Sequence, residues 1–323
     1  MRQQSLTESM GKHQVYFSSH PMAQKLAGHL VKLLVLQSLP FNVVDSQPFR
    51  DFVACVHPRW MDGSDSEIHL HQKEFSARDF YDTYLSASSH PTLLDEFIYF
   101  PMRQLYKEMS AGHIQGRTLL QFNPSPAPYK LLVCCEFFEE INVLELTDEC
   151  SLALRKWLKK DPEALDWTHM SQYASSLEGR SDGWIKKEEI LRERFKRVID
   201  CDIAADPLVA PGTLPPVDCL ITTCGFEVIS KDHEEFRNNL RKTAALLKVG
   251  GYLAIFVLIN AKFYKVGEPL FHVLCFNEDF LRAALMDSGY VIESLESRPR
   301  VDYGGYMIFD SLVYVRARKV REV

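Results

Sequence analysis

Thr118-Leu-Leu-Gln-Phe122-Asn-Pro-Ser-Pro-Ala-Pro128-Tyr-Lys-Leu-Leu-Val-Cys-Cys135, followed closely by Ile141-Asn-Val-Leu-Glu-Leu146, is the stretch on which the fold is decided. The apolar run Leu119, Leu120, Phe122 reads as a strand, Asn123 to Pro128 as a tight loop, Tyr129 to Cys135 as a short apolar helix, and Ile141 to Leu146 as a second strand. Glu145 stands near the end of that second strand. An acid placed there, about 20 to 25 residues beyond the loop's start, is how an α/β unit holds an adenosine ribose. Loops of this kind use glycine, because backbone must approach the ligand and take positive φ. Here no glycine occurs between Gly116 and Gly179, and Pro124, Pro126 and Pro128 have no amide to donate. Asn123 and Ser125 are the loop side chains able to hydrogen-bond a ligand in place of that geometry. A plain tight turn is the alternative reading.

Working outward, the residues after this unit continue an alternation of strands and helices. Thr147 is placed to cap a helix that carries Asp148 and Glu149 in its first turn and Lys159 and Lys160 in its last, a charge order that suits the helix dipole. A charged helix over Lys186 to Arg197 leads into a third strand, Val198 to Ile203. Val217 to Thr223 is a fourth strand, followed by a helix from Ser230 with Phe236, Leu240, Ala244 and Leu247 on one face. Gly250 ends that helix. The next run, Tyr252-Leu-Ala-Ile-Phe-Val257, is apolar on both faces, as a strand buried inside a mostly parallel sheet must be. A helix over Phe280 to Met286 stops at Gly289, and Tyr290 to Leu295 with Met307 to Val315 form an antiparallel hairpin turned over Gly304-Gly305. Strands alternating with helices and closing on a hairpin describe a doubly wound α/β domain.

Before the α/β series, Ser76 caps an aromatic helix (Phe80, Tyr81, Tyr84, Leu85), and His90-Pro91 opens a second with Leu93, Leu94, Phe97, Ile98 and, past Pro101, Leu105. Still earlier, Met22 to Leu34 and Phe49 to Val56 read as two short helices, and Met61 to Ser66 as a polar linker. The organisation expected is a helical segment at 1–60, a linker at 61–73 and the α/β domain at 74–323.

Bulk composition narrows the function classes. The chain has 323 residues, 46% of them apolar and 25% charged, and a net charge of −6. That balance suits a globular protein with a substantial core and argues against a nucleic-acid or anionic-membrane surface. The amino-terminal residues lack the apolar stretch of a signal peptide, and the apolar runs Leu30 to Leu36 and Tyr252 to Ile259 are too short to span a bilayer. A cytoplasmic monomer is the expectation. The eight cysteines include no CxxC pair, so reduced, buried thiols are expected. His57, His69 and His71 lack a fixed further ligand, and no metal site is expected.

Three further runs carry a resemblance: Trp157-Leu-Lys-Lys-Asp-Pro-Glu-Ala-Leu-Asp-Trp167, Pro215-Pro-Val-Asp-Cys219 and Leu246-Leu-Lys-Val-Gly-Gly251. From about Glu74 to Val320 the chain resembles the nicotinamide, phenylethanolamine and indolethylamine N-methyltransferases. The resemblance implies a seven-stranded class I methyltransferase fold with an amino-terminal helical lid, S-adenosylmethionine as cofactor and a small amine as substrate. The lid aromatics fall on Phe80, Tyr84 and Leu85. The family's loop, Asp-Ile-Gly-Ser-Gly-Pro-Thr, falls on Gln121-Phe-Asn-Pro-Ser-Pro-Ala127, with Pro126 and the following Tyr129 in agreement. The ribose acid falls on Glu145, a second ribose partner on Cys150, and the adenine-contacting residue on Ser176. Glu227 takes the place of a carboxylate that lines the amine pocket, whereas Val257 and Ala261 replace an acid and a nearby polar residue. Separately, Leu36-Gln-Ser-Leu-Pro-Phe-Asn-Val-Val-Asp45 and His57-Pro-Arg-Trp60 resemble the helical segment that follows the BED finger in hAT-type transposases, over residues 20–60.

Methyl transfer from a sulfonium is an in-line displacement, so a protein mainly positions the acceptor nitrogen and excludes water, and a carboxylate orients the amine or takes its proton. The resemblance, with the reading of the loop and of the strand acid, therefore implies an N-methyltransferase with Glu227 as the catalytic acid–base and with Phe80, Tyr84, Asn123, Ser125, Tyr129, Glu145, Cys150 and Ser176 around the cofactor. The glycine-free loop and the absent second acid leave one alternative open: a catalytically silent methyltransferase fold that serves as a binding module.

Overall fold

The computed structural model describes residues 75–122, 125–180, 183–267, 270–301 and 307–322. The two short amino-terminal helices, the 61–73 linker, the transposase-like fragment, Asn123 and the Gly304-Gly305 turn lie outside the described residues.

The chain enters through α1 (Ala77–Phe80), which Ser76 caps by accepting the Asp79 amide, and which widens into a π turn at Tyr81–Leu85. Next come α2 (Pro91–Leu94), a second π turn (Asp95–Tyr99) and α3 (Phe100–Ser110). Pro101 sits in the first turn of α3, where it has no amide for a preceding carbonyl, and the helix opens into the π turn just ahead of it. The deciding stretch then folds as read: β1 (Thr118–Phe122), α4 (Tyr129–Cys134) and β2 (Glu140–Glu145). Thr147 caps α5 (Asp148–Leu158) by accepting the Cys150 amide, and α6 (Thr168–Leu177) and α7 (Trp184–Arg194) follow. The rest is β3 (Phe195–Asp200), β4 (Val217–Thr223), α8 (Phe226–Ile229), α9 (His233–Ala244), β5 (Leu247–Ile259), β6 (Phe263–Lys265), β7 (Leu270–His272), α10 (Glu278–Asp287), β8 (Tyr290–Pro299), β9 (Met307–Ile308) and β10 (Ser311–Lys319).

Seven strands form one sheet in the order β3-β2-β1-β4-β5-β10-β8. Neighbours from β3 to β5 are parallel, and β10 runs antiparallel to both β5 and β8. This is the class I methyltransferase arrangement. A core of Leu119, Val143, Ile221 and Phe256 packs one face under α3, α4 and α6, and a second core of Leu120, Leu144, Leu253 and Val313 packs the other under α9 and α10. Because alternate residues of a strand face opposite ways, Gln121 and Glu145 project to the same side as α4. The strand order reverses between β1 and β4, so the cleft outside their carboxyl ends is where such a sheet binds ligand.

Three expectations shift. The third strand begins at Phe195, not Val198, and the charged helix ends at Arg194: β3 is the sheet's edge, and its exposed Lys196 and Arg197 continue the helix's charge pattern while the backbone is already extended. The helix expected from Ser230 starts at His233 with Asp232 as its cap, after the separate turn α8. The final strand expected over Met307 to Val315 is two elements, since Met307–Ile308 joins a second sheet, β7-β6-β9, that the sequence pattern did not reveal. Among the described residues no helix is long and apolar enough to cross a membrane.

Candidate functional site

At the carboxyl end of β2, Glu145 is 1% exposed and neither carboxylate oxygen has a hydrogen-bond partner. Burial holds its carboxyl well above the usual carboxylate range, against the pull of Lys130 and with a further push from Asp200. A buried acid with both oxygens unpaired is costly, about 1–3 kcal/mol or more for such a group, unless a ligand supplies donors. The backbone around it is saturated: the Glu145 carbonyl accepts the Cys201 amide at 2.9 Å. The shortfall is confined to the side chain. Gln121 of β1 repeats the pattern, with its buried Oε1 unpartnered on the same face.

The lid closes over this end. The Ala77 amide donates to Glu149 of α5 at 2.8 Å, the Tyr81 hydroxyl to the Asp166 carbonyl at 2.8 Å, and the Tyr84 hydroxyl to the Lys265 carbonyl at 2.6 Å. Phe80 stacks obliquely on Tyr84, ring centres 5.1 Å apart, and packs with Phe75 and Ala77 against fully buried Cys150. Tyr84, Cys150 and Cys224 all lie close enough to Tyr264 of β6 to raise its phenol together with burial. Tyr129 opens α4, 4% exposed, beside Thr223 and Cys224. The structure thus brings together Phe80, Tyr84, Tyr129, Glu145 and Cys150, with Ser125 buried in the loop that precedes α4. Ser176 stands apart. It is exposed near the end of α6, and its hydroxyl donates to the Tyr173 carbonyl of its own helix at 2.7 Å.

Glu227 lies in α8, just after β4, and is fully buried. Its Oε1 accepts the Leu258 amide at 2.9 Å while Oε2 has no partner. Burial pushes its carboxyl up to about 7, opposed by that amide and by the thiol of Cys224. A carboxyl so placed is poised to exchange a proton near neutral pH. The turn that aims it is tight: Cys224 sits at φ 49°, and a Cβ on Gly225 would lie 2.5 Å from Thr222 Oγ1. Val257 and Ala261, at the positions of the missing polar groups, are fully buried in the apolar cores.

Three residues of the cluster escaped the sequence reading: Lys130, Cys224 and Tyr264. Only Lys130 gives a signal, as a charged residue inside the otherwise apolar run Tyr129 to Cys134.

These residues fit the adenosyl end of S-adenosylmethionine, since the unpaired oxygens of Glu145 are free to accept from vicinal hydroxyls. The loop fits differently from a glycine loop, because its prolines offer no amides. Residues 66–320 match the model of the NNMT/PNMT/TEMT family. Indolethylamine N-methyltransferase of Oryctolagus cuniculus is 36% identical over 240 residues, covering 74% of this chain and 91% of that protein. Nicotinamide N-methyltransferase of Sus scrofa is 32% identical over 222 residues, 69% of this chain and 84% of that protein. Phenylethanolamine N-methyltransferase of Macaca mulatta is 33% identical over 198 residues, 61% of this chain and 70% of that protein. With matches of this extent and the class I sheet order in place, the chain belongs to the NNMT/PNMT/TEMT family.

Proposed function

We propose that the protein is an S-adenosylmethionine-dependent N-methyltransferase acting on the nitrogen of a small amine or pyridine-like acceptor. The unpaired, fully buried carboxylate of Glu145 at the end of β2, in a chain of this family, is the observation that carries the reading. When bound, the cofactor supplies a methyl group activated by a sulfonium. Glu145 would hold its ribose hydroxyls, and Phe80, Tyr84, Ser125, Tyr129 and Cys150 would wall the cofactor in and exclude water. Asn123 and Ser176 remain candidates by position alone. Glu227 would orient the acceptor nitrogen and take its proton, which a carboxyl near neutrality does reversibly.

The test is transfer of a labelled methyl group to tryptamine, nicotinamide and phenylethanolamine. Transfer to at least one is expected, with kcat/KM rising through about pH 7 as Glu227 ionises. Glu227→Gln should flatten that limb and lower the rate by about a hundredfold. Cofactor binding without transfer to any amine would overturn the enzyme reading in favour of a silent binding module.

The domain division at 1–60, 61–73 and 74–323, a transposase-derived origin for residues 20–60, and a cytoplasmic monomer that binds neither nucleic acid nor membrane complete the proposal. The net charge of −6 supports the last point.

A further inference from the structure

Lys130, the second residue of α4, is fully buried, and its ammonium has no hydrogen-bond partner. It lies 4.7 Å from the centre of the Tyr129 ring and within electrostatic reach of Glu145, Cys224 and Cys134. Among the described residues, Lys187 and Lys319 are the other lysines exposed by 2% or less, and both are saturated. Lys187 binds Glu178 and Glu136, and Lys319 donates to the Ala244 and Leu247 carbonyls. An unsaturated buried cation calls for an anion. Glu145 does not serve as one: burial drives the acid towards its neutral form, burial draws the lysine down to about 7, and no hydrogen bond joins them.

The cofactor has one anionic group, the carboxylate of its amino-acid end. In a glycine loop, backbone amides are free to meet such a group, but here Pro124, Pro126 and Pro128 offer none. Nor do the lid positions Phe80 and Leu85 bring a polar side chain. We infer that Lys130 is a cofactor-binding residue of this chain, its ammonium pairing with the carboxylate of S-adenosylmethionine and standing in for the amides that the prolines remove. The inference rests on reading the cleft as an S-adenosylmethionine site. On this view burial drives Glu145 and Lys130 towards their neutral forms, and the arrival of hydroxyls and carboxylate favours the charged form of both.

Titration calorimetry on the full chain tests it, with S-adenosylmethionine and with its decarboxylated analogue, which keeps the ribose, sulfonium and ammonium. The wild-type protein should bind the analogue about tenfold to a hundredfold more weakly, as loss of a charge-assisted contact predicts. Lys130→Gln should bind S-adenosylmethionine about as weakly as the wild type binds the analogue, and should no longer distinguish the two ligands. Equal affinity of the wild-type protein for both would overturn the role of Lys130 and leave the methyltransferase reading standing. So would a Lys130→Gln protein that still discriminates. If the wild-type protein binds neither ligand, the cofactor reading falls and this inference with it. The wild-type comparison needs no variant, so a misfolded substitution does not decide the matter.

Discussion

The carboxyl and amino ends of the central sheet treat buried charge in opposite ways. At the carboxyl end, Glu145 and Lys130 are fully buried and neither makes a hydrogen bond through its charged atoms. At the amino end, Asp218 of β4 accepts the amides of Arg117 and Thr118 and the Thr118 hydroxyl, each at 2.9 Å, and the Lys248 ammonium at 2.6 Å. Lys319, near the start of β5, meets two carbonyls at 2.9 and 2.8 Å. The pKa directions follow: the Asp218 carboxyl is held down at about 2, by Lys248 and by the amides and hydroxyl it accepts, in spite of its partial burial, whereas burial pushes that of Glu145 up. One end is finished by the chain itself. The other is left unfinished: under the proposed reading a ligand completes it, and until then the unpaired groups cost stability.

The largest effect that would sharpen this contrast is on ligand affinity. Glu145→Gln keeps the shape and removes the charge, so two charge-assisted contacts to hydroxyls weaken. At about 1.5–3 kcal/mol each, cofactor affinity should fall about a hundredfold to ten-thousandfold by calorimetry. The same variant should melt no lower than the parent without cofactor. A group whose folded pKa is raised weakens the fold as pH climbs from the unfolded value through the folded one, and glutamine removes that weakness. A variant that melts lower yet binds normally would show Glu145 to be a structural acid and dissolve the comparison.

Asp218 should behave in the reverse way. Asp218→Ala strands two amides and a hydroxyl and frees Lys248, and the loss should be about 3 kcal/mol, or roughly 6–12 °C in Tm for a domain of this size, with cofactor affinity unchanged. The carboxyl's folded pKa is depressed from 3.8 to about 2, so its stabilisation is fully present above about pH 4 and is lost as pH falls towards 2. After screening at this partly exposed rim, about 1–2 kcal/mol of acid-labile stability should vanish in Asp218→Asn, as read from urea unfolding at pH 5 and pH 3. Gly116 belongs to the same construction: at φ 155° it leaves room for Asp218, whose Cβ would stand 2.3 Å from any Cβ added there.

Much of this was legible in the sequence because the signals are local. The β1–α4–β2 unit announces itself through apolar runs and a terminal acid, and the caps Ser76 and Thr147 through residue type next to periodic helices. What escaped depends on tertiary placement. Phe195–Asp200 is an edge strand whose lysine and arginine look helical until the neighbour at β2 is known. The β6 strand pairs with β7 and with β9 about forty residues away, and its period is too short to register alone. Tyr264 and Cys224 join the site only because the lid and the turn after β4 converge there. Ser176 stands apart for the opposite reason: its alignment is local, but its side chain turns back to its own helix.

The smallest effect breaks the comparison most directly, because it asks two buried lysines for opposite answers. In the folded protein burial lowers the Lys130 ammonium to about 7 from the ordinary 10.5, so near pH 7.5 folding must strip a proton that the unfolded chain keeps. Lys130→Met removes that demand and retains an unbranched chain of similar volume, and replacing an unsatisfied buried cation by a hydrophobe stabilises by about 1 kcal/mol or more. Without cofactor its Tm should therefore rise by about 2–4 °C, while saturating cofactor should raise the Tm of the variant less than that of the parent. Lys319→Met should do the reverse, because the Ala244 and Leu247 carbonyls lose a donor inside the core and no ligand compensates. Scanning calorimetry of the two variants side by side decides it. If both substitutions lower the melting temperature alike, Lys130 is a fixture of the fold, and the two ends of the sheet follow one rule.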